Sequence, residues 1–336
     1  MMRSARFDGR EFDVVEGPQP PVGSDEVLVE VHACGICGSD LHFFSGEAPP
    51  PRVCPGHEIC GRVVSTDARL RRGQAVVVEP ILGCANCDAC RSGEPNLCAA
   101  LVIFGRDRDG GFADCLRVSA SALYPVPPEL DLDVAMLAEP LAVVVHAVRK
   151  AAVEPGMKVL VIGGGTIGLL TVFLAARAGG QVTLSARYAH QGEAGVRMGA
   201  SRVVTSDENL LREMSGVASV AFETVGGRAS TLPLALTCLR PGGTIVTMGV
   251  FSRTPMLDPL AFLMKEARLV ASMTYSRRER PDFAVALDIL SAEQRRLAPL
   301  ITHAVSLDEI QRGFQLASDK DAGSIKVAVR PGRSPA

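Results

Sequence analysis

Cys84, Cys87, Cys90 and Cys98 stand at C-x2-C-x2-C-x7-C within GCANCDACRSGEPNLC. Four thiolates this close on a loop can close a tetrahedral site with no open position, the kind of zinc that holds a fold together. An iron–sulfur cluster or a pair of disulfides are the alternatives, but the adjoining chain lacks ferredoxin spacing and a reducing compartment disfavours the disulfides. A second donor set comes from two separated segments, CGICGSDLHFFSG and PGHEICGRV, which supply Cys37, His57 and Glu58. Thiolate, imidazole and carboxylate leave a zinc position free for water or substrate, as catalysis requires. Cys34 and Cys37 also have the C-x2-C spacing of a thioredoxin-like redox pair, a weaker reading beside a GHE segment.

Gly163, Gly165 and Gly168 follow G-x-G-x-x-G, with Thr166 and Ile167 between the last two, directly after KVLVI and before LLTVFLAARAG. Strand before and helix after is the context in which such glycines serve a dinucleotide. The first permits the tight turn, the second lets backbone meet pyrophosphate, and the third lets helix lie close on strand. The helix N-terminus then offers its amides to the phosphates. About twenty residues on, where a carboxylate would hold the ribose hydroxyls of NAD, the strand QVTLSARY has Ala186 followed by Arg187. A guanidinium there can pair with a 2′-phosphate. The segment therefore predicts NADP over NAD, with Ser185, Arg187 and Tyr188 around that phosphate. A glycine-rich turn without ligand and a solvated Arg187 are the bland alternatives.

These residues need elements to hold them. With 336 residues the chain is long enough for two domains. In DEVLVEVH, Val27, Val29 and Val31 share one face of a strand, and residues 1–124 continue as short apolar runs between turns, a mostly β domain. After Pro125 a helix over LAEPLAVVVHAVRKAA leads into six apolar runs beginning near Val159, Val182, Arg202, Ser219, Thr244 and Leu269. Runs so continuous, joined by helix-length segments, predict a parallel sheet covered on both faces. The tail from about Arg277 carries the helix FAVALDILSAEQ, a second near Leu307 to Ser318 and the strand SIKVAV, and is expected to return to the first domain. The closing PGRSPA is expected to fray. The resulting boundaries are 1–139 completed by 277–336, and 140–276.

Composition narrows the partners. A formal net charge of −2 with scattered basic residues supplies no field for nucleic acid or an anionic membrane. The uncharged run 159–176 has the length of a membrane span, but its GGGTIG insert reads better as strand, turn and helix. The charged N-terminus lacks a secretory core, and ten cysteines in metal-like spacings suit a reducing space, so a cytoplasmic protein is expected.

CGICGSDLH, PGHEICGRV, the four-cysteine loop, AEPLAVVVH, VIGGGTIG and SIKVAV follow one another over nearly the whole chain. In this order they resemble the zinc-containing medium-chain dehydrogenase family, most closely its sorbitol, butanediol and threonine dehydrogenase branch. The resemblance implies a GroES-like β-rich catalytic domain plus a Rossmann doubly wound six-stranded parallel sheet, one catalytic and one structural zinc, and a homodimer or homotetramer. It also implies that Glu139 completes the catalytic zinc shell or stands beside it, that Asp40 orients His57, and that Ser39 and His42 carry the alcohol proton by way of the cofactor ribose. Lys326 matches the basic residue that reaches the pyrophosphate. Cys54 and Cys60 depart from the pattern and have no assigned role. The activity implied is hydride transfer between a secondary alcohol or polyol and NADP(H), with loops around Phe43, Phe104 and Tyr275 shaping the substrate pocket. A zinc-free quinone or enoyl reductase, and a non-catalytic zinc-binding relative, are the competing readings.

Overall fold

A computed structural model describes residues 1–65 and 70–332, so most of the closing tail expected to fray lies outside the described residues. The chain divides into two units, Met1–Ala142 with Ser276–Ala336, and Val143–Tyr275.

The first unit begins with an antiparallel hairpin of β1 (Met2–Phe7) and β2 (Phe12–Gly17). Strand β3 (Glu26–Gly35) follows, with Val27, Val29 and Val31 buried and Glu30 and His32 facing water. Helix α1 (Gly38–Phe44) starts at its end, and β4 (Glu58–Val63) runs back antiparallel to it with Gly35 opposite Glu58. Beyond β5 (Ala75–Val78), the short pair β6 (Ile81–Leu82) and β7 (Val102–Ile103) brackets the four-cysteine loop, which holds the single-turn helix α2 (Asp88–Arg91). Strands β8 (Cys115–Ser119) and β9 (Leu123–Pro125) and helices α3 (Leu132–Ala135) and α4 (Ala138–Ala151) complete this stretch.

In the second unit the six expected runs are six strands: β10 (Lys158–Ile162), β11 (Gln181–Ser185), β12 (Arg202–Val204), β13 (Ala218–Glu223), β14 (Leu239–Thr247) and β15 (Arg268–Ala271). Their connections carry helices α5 (Thr166–Arg177), α6 (Ala189–Met198), α7 (Asp207–Met214), α8 (Thr231–Cys238) and α9 (Pro259–Lys265). All pair in parallel in the order β12-β11-β10-β13-β14-β15. The order reverses beside β10, the switch point at which doubly wound sheets bind ligands. The run 159–176 is split between β10, a turn and α5, and among the described residues no helix is long and apolar enough to cross a membrane. Edge strand β15 is largely exposed, and Met256, Leu260, Leu263 and Met264 on or beside α9 also face water.

The chain returns through α10 (Asp282–Leu297), β16 (Ile301–Ser306), α11 (Ile310–Ser318) and β17 (Lys326–Arg330). Strand β17 lies between β16 and β3, so the sheet of the first unit runs β16-β17-β3-β4-β5-β9 with β8 also on β3. Phe314 of α11 meets Phe12, Phe43, Phe44 and Phe112 at ring-centroid distances of 4.5–5.7 Å. Phe43, Phe104 and Tyr275 are themselves all buried.

Candidate active site

The antiparallel pairing of β3 with β4 places the residues just past Gly35 beside those just before Glu58. Donor atoms of Cys37, His57 and Glu58 consequently fall within 4.8 Å of one another. Asp40 serves both sides of this group. Its Oδ2 accepts the Cys37 N–H at 3.0 Å at the start of α1, and its Oδ1 is 3.7 Å from His57 Nδ1. Burial alone would hold the imidazolium down; the Asp40 carboxylate, Cys37 and Glu139 outweigh it and raise the His57 pKa well above its usual value. Glu139, in the first turn of α4, is buried, and that burial lifts its carboxyl to about 7 against the pull of His57. Glu139 stands in the field of the group, while Glu58 is the carboxylate within the 4.8 Å set.

Three residues apart on α1, Ser39 is exposed and His42 partly exposed, a spacing that puts them on one helix face. Cys34 is sealed in the core and burial pushes its thiol well up, so it is no partner for redox exchange with Cys37. Cys54 and Cys60 are core thiols as well; their Sγ atoms contact the carbonyls of Phe112 and Ala33 at 3.2 and 3.5 Å.

The four-cysteine loop gathers the sulfurs of Cys84, Cys87, Cys90 and Cys98 within 4.8 Å, and none of the ten cysteines is in a disulfide. Gly83 is required by the sulfurs themselves, since a Cβ there would lie 2.5 Å from Cys90 Sγ. Backbone N–H groups of Asn86 and Cys87 draw the Cys84 thiol down, whereas burial and the neighbouring thiols push Cys90 up. Four thiols in one small shell suit a soft divalent ion.

Each motif glycine in the second unit meets a different constraint. Gly163 turns at φ +113°, Gly168 has no room because a Cβ would stand 1.9 Å from the Gly163 carbonyl oxygen, and Gly165 faces open space. Gly165 also N-caps α5, whose first turn begins with Thr166 and Ile167, and makes no side-chain cap there. A glycine at a helix N-terminus lets a pyrophosphate approach the backbone. At the end of β11 beyond Ser185, Ala186 is buried, Arg187 is exposed with no ion pair among the described residues, and Tyr188 N-caps α6.

Residues 23–128 match the description "Alcohol dehydrogenase GroES-like domain" and residues 166–292 match "Zinc-binding dehydrogenase". L-galactonate-5-dehydrogenase of Escherichia coli K12 is 33% identical over 84% of this chain and 85% of its own. The chain belongs to the zinc-type medium-chain dehydrogenase family. Sorbitol dehydrogenase of Bacillus subtilis 168 is 27% identical over 99% of this dehydrogenase and 98% of its own length. A protein of Sinorhizobium meliloti 1021 described as a zinc-binding dehydrogenase bound to NADP superposes with a TM-score of 0.87 at 32% identity, covering 98% and 99% of the two chains.

One further residue of this dehydrogenase is bonded to the donor group itself. Lys326, matched by resemblance to a pyrophosphate ligand, is 2% exposed on β17. Its Nζ donates at 2.6 Å to each oxygen of Glu58 and at 2.9 Å to the carbonyl of Ile36. Gly35 makes room for the arrangement, since a Cβ on it would stand 2.0 Å from Glu58 Oε2. Sequence reading also missed Glu47, whose Oε2 lies 3.0 Å from His42 Nδ1.

Proposed function

We propose that this medium-chain dehydrogenase depends on zinc and transfers a hydride between a secondary alcohol or polyol, or the corresponding ketone, and NADP(H). The observation that carries the reading is the convergence of Cys37, His57 and Glu58 donors within 4.8 Å beside the helix that bears Ser39 and His42. In this reading Cys37, His57 and either Glu58 or Glu139 hold the catalytic ion, and Cys84, Cys87, Cys90 and Cys98 hold the structural one. The bound ion supplies Lewis acidity toward a hydroxyl or carbonyl oxygen, and the nicotinamide gives or takes the hydride. The chain's own residues orient and move protons. Asp40 fixes the His57 ring and the Cys37 backbone together, Ser39 takes the proton of the substrate hydroxyl as it gives up its own, and His42 takes up the relayed proton at a ring nitrogen.

Residues 1–139 with 277–336 form the GroES-like catalytic domain in this reading and 140–276 the dinucleotide-binding domain. Gly163, Gly165, Thr166, Ile167 and Gly168 cradle the pyrophosphate, and Ser185, Arg187 and Tyr188 surround a 2′-phosphate. The preference for NADP is supported by Ala186 in the acidic position, by the unpaired Arg187 and by the NADP of the Sinorhizobium relative. The names of relatives acting on L-galactonate and sorbitol support a polyhydroxylated substrate. A homo-oligomer is supported by the exposed edge strand β15 and the apolar side chains beside it, and a cytoplasmic setting by thiols kept free for metal.

Metal analysis together with NADPH oxidation across a panel of ketones and keto sugars tests the proposal. About two zinc ions per chain and turnover that stops on zinc removal are expected. Turnover by zinc-free protein would point to a quinone or enoyl reductase, and zinc without any turnover to a binding protein.

A further inference from the structure

His42 lies in the last turn of α1, and the chain folds back over it at once. Its carbonyl accepts the N–H groups of Glu47 and Ala48 at 2.8 and 3.0 Å and the Ser45 hydroxyl at 3.2 Å. Gly46, at φ +75°, lets the backbone reverse. The reversal returns the Glu47 side chain to the ring, with Oε2 at 3.0 Å from Nδ1; the two side chains are 23% and 19% exposed. An ionised carboxylate can only accept, so the shared proton belongs to Nδ1 and the lone pair is left on Nε2.

We propose that Glu47 is a positioning residue for proton transfer at His42: it fixes the Nδ1–H tautomer, aims Nε2 as the acceptor and offsets the charge of the imidazolium. The inference rests on the reading of His42 as the proton carrier. During alcohol oxidation Nε2 takes the proton released by the substrate hydroxyl, Nδ1–H stays on Glu47 throughout, and Nε2 then passes that proton to water. Reduction runs the same transfers backwards, and no electrons move through this pair. A carboxylate behind a histidine has the same orienting role in hydrolase triads and metal sites.

Two measurements on the zinc-loaded enzyme test it. With 15N-labelled histidine and His42 assigned through H42A, long-range proton–nitrogen spectra should give the Nδ1–H tautomer in the unmodified protein and mainly Nε2–H in Glu47→Ala. An Nε2–H ring in the unmodified protein, or an unchanged ring in the variant, overturns the proposal without any need for turnover. In steady-state oxidation of the fastest alcohol from a panel containing sorbitol and L-galactonate, E47A should lower kcat on the order of tenfold with coenzyme KM and zinc content unchanged. E47D should restore most of the rate. Should E47A fail to fold, E47Q carries the test, with a loss of about threefold expected because the acceptor survives and the charge does not. Full rate in the Glu47 variants beside a slow H42A sinks the role of Glu47 alone; full rate in H42A sinks the reading of His42 itself.

Discussion

Lys326 and Glu58 show what a single buried charge demands of its neighbours. Both are almost fully enclosed and bonded to each other at 2.6 Å, so removing one strands the other. Lys326→Met should lower the stability of the metal-free protein by about 3 kcal/mol. The double variant with Glu58→Gln should recover much of that, read from urea midpoints in a double-mutant cycle. Arg187 offers a cleaner functional test: Arg187→Ala should reduce the ratio of kcat/KM for NADP over NAD roughly tenfold to hundredfold, the worth of one or two charge-assisted hydrogen bonds. An unchanged ratio would leave Arg187 a surface charge. Cys37, His57 and the four-cysteine set were legible because ligand chemistry restricts both residue type and local spacing. The partner of Lys326 was not, since Glu58 lies 268 residues away and no local pattern encodes that meeting. Glu47 escaped notice because it stands past the helix that carries the recognisable run and is brought back by one glycine turn.

Among the elements, the six strands of the second unit were readable for a physical reason: a strand covered on both faces must be apolar at nearly every position. Strand β16 was not, because ITHAVS alternates weakly and sits at the sheet edge with Thr302 and Ala304 outward. The tightest constraint on the glycine turn is Gly168, where even a methyl group meets backbone. Gly168→Ala should therefore cost about 1–3 kcal/mol and weaken NADPH binding, with zinc content intact, as checked by thermal melts, coenzyme fluorescence and metal analysis. The four-cysteine loop is tied to the returning chain: Arg277 N–H donates to the Gly93 carbonyl at 2.7 Å, and the Arg277 side chain pairs with buried Glu79 at 2.6 Å. Cys90→Ser should leave about one zinc per chain and lower the melting temperature, whereas a variant with unchanged metal content would remove the loop from the list of zinc sites.

At the level of the whole molecule, the second unit presents an unpaired strand edge next to exposed Leu260, Leu263 and Met264. Natural sheets rarely leave such an edge and such side chains to water without a covering partner. If the proposed oligomer forms through this edge, Leu263→Asp combined with Met264→Glu should lower the mass seen in light scattering, with the circular dichroism of the fold retained; an unaltered mass would show that this edge holds no subunit contact.

The position of β17 between β16 and β3 also governs the order of events at the ribosome. Residues 26–63 emerge early, yet the strand that closes their sheet and the ammonium that neutralises Glu58 follow roughly 15–60 s later at ordinary elongation rates. Through that interval the nascent first unit carries an open seam and an uncompensated acid, while the intervening α/β unit, one continuous segment, is already complete in sequence. Truncation ahead of Lys326 would thus be far more damaging than its distance from Cys37 suggests, because it deletes the keystone of the earliest-made half.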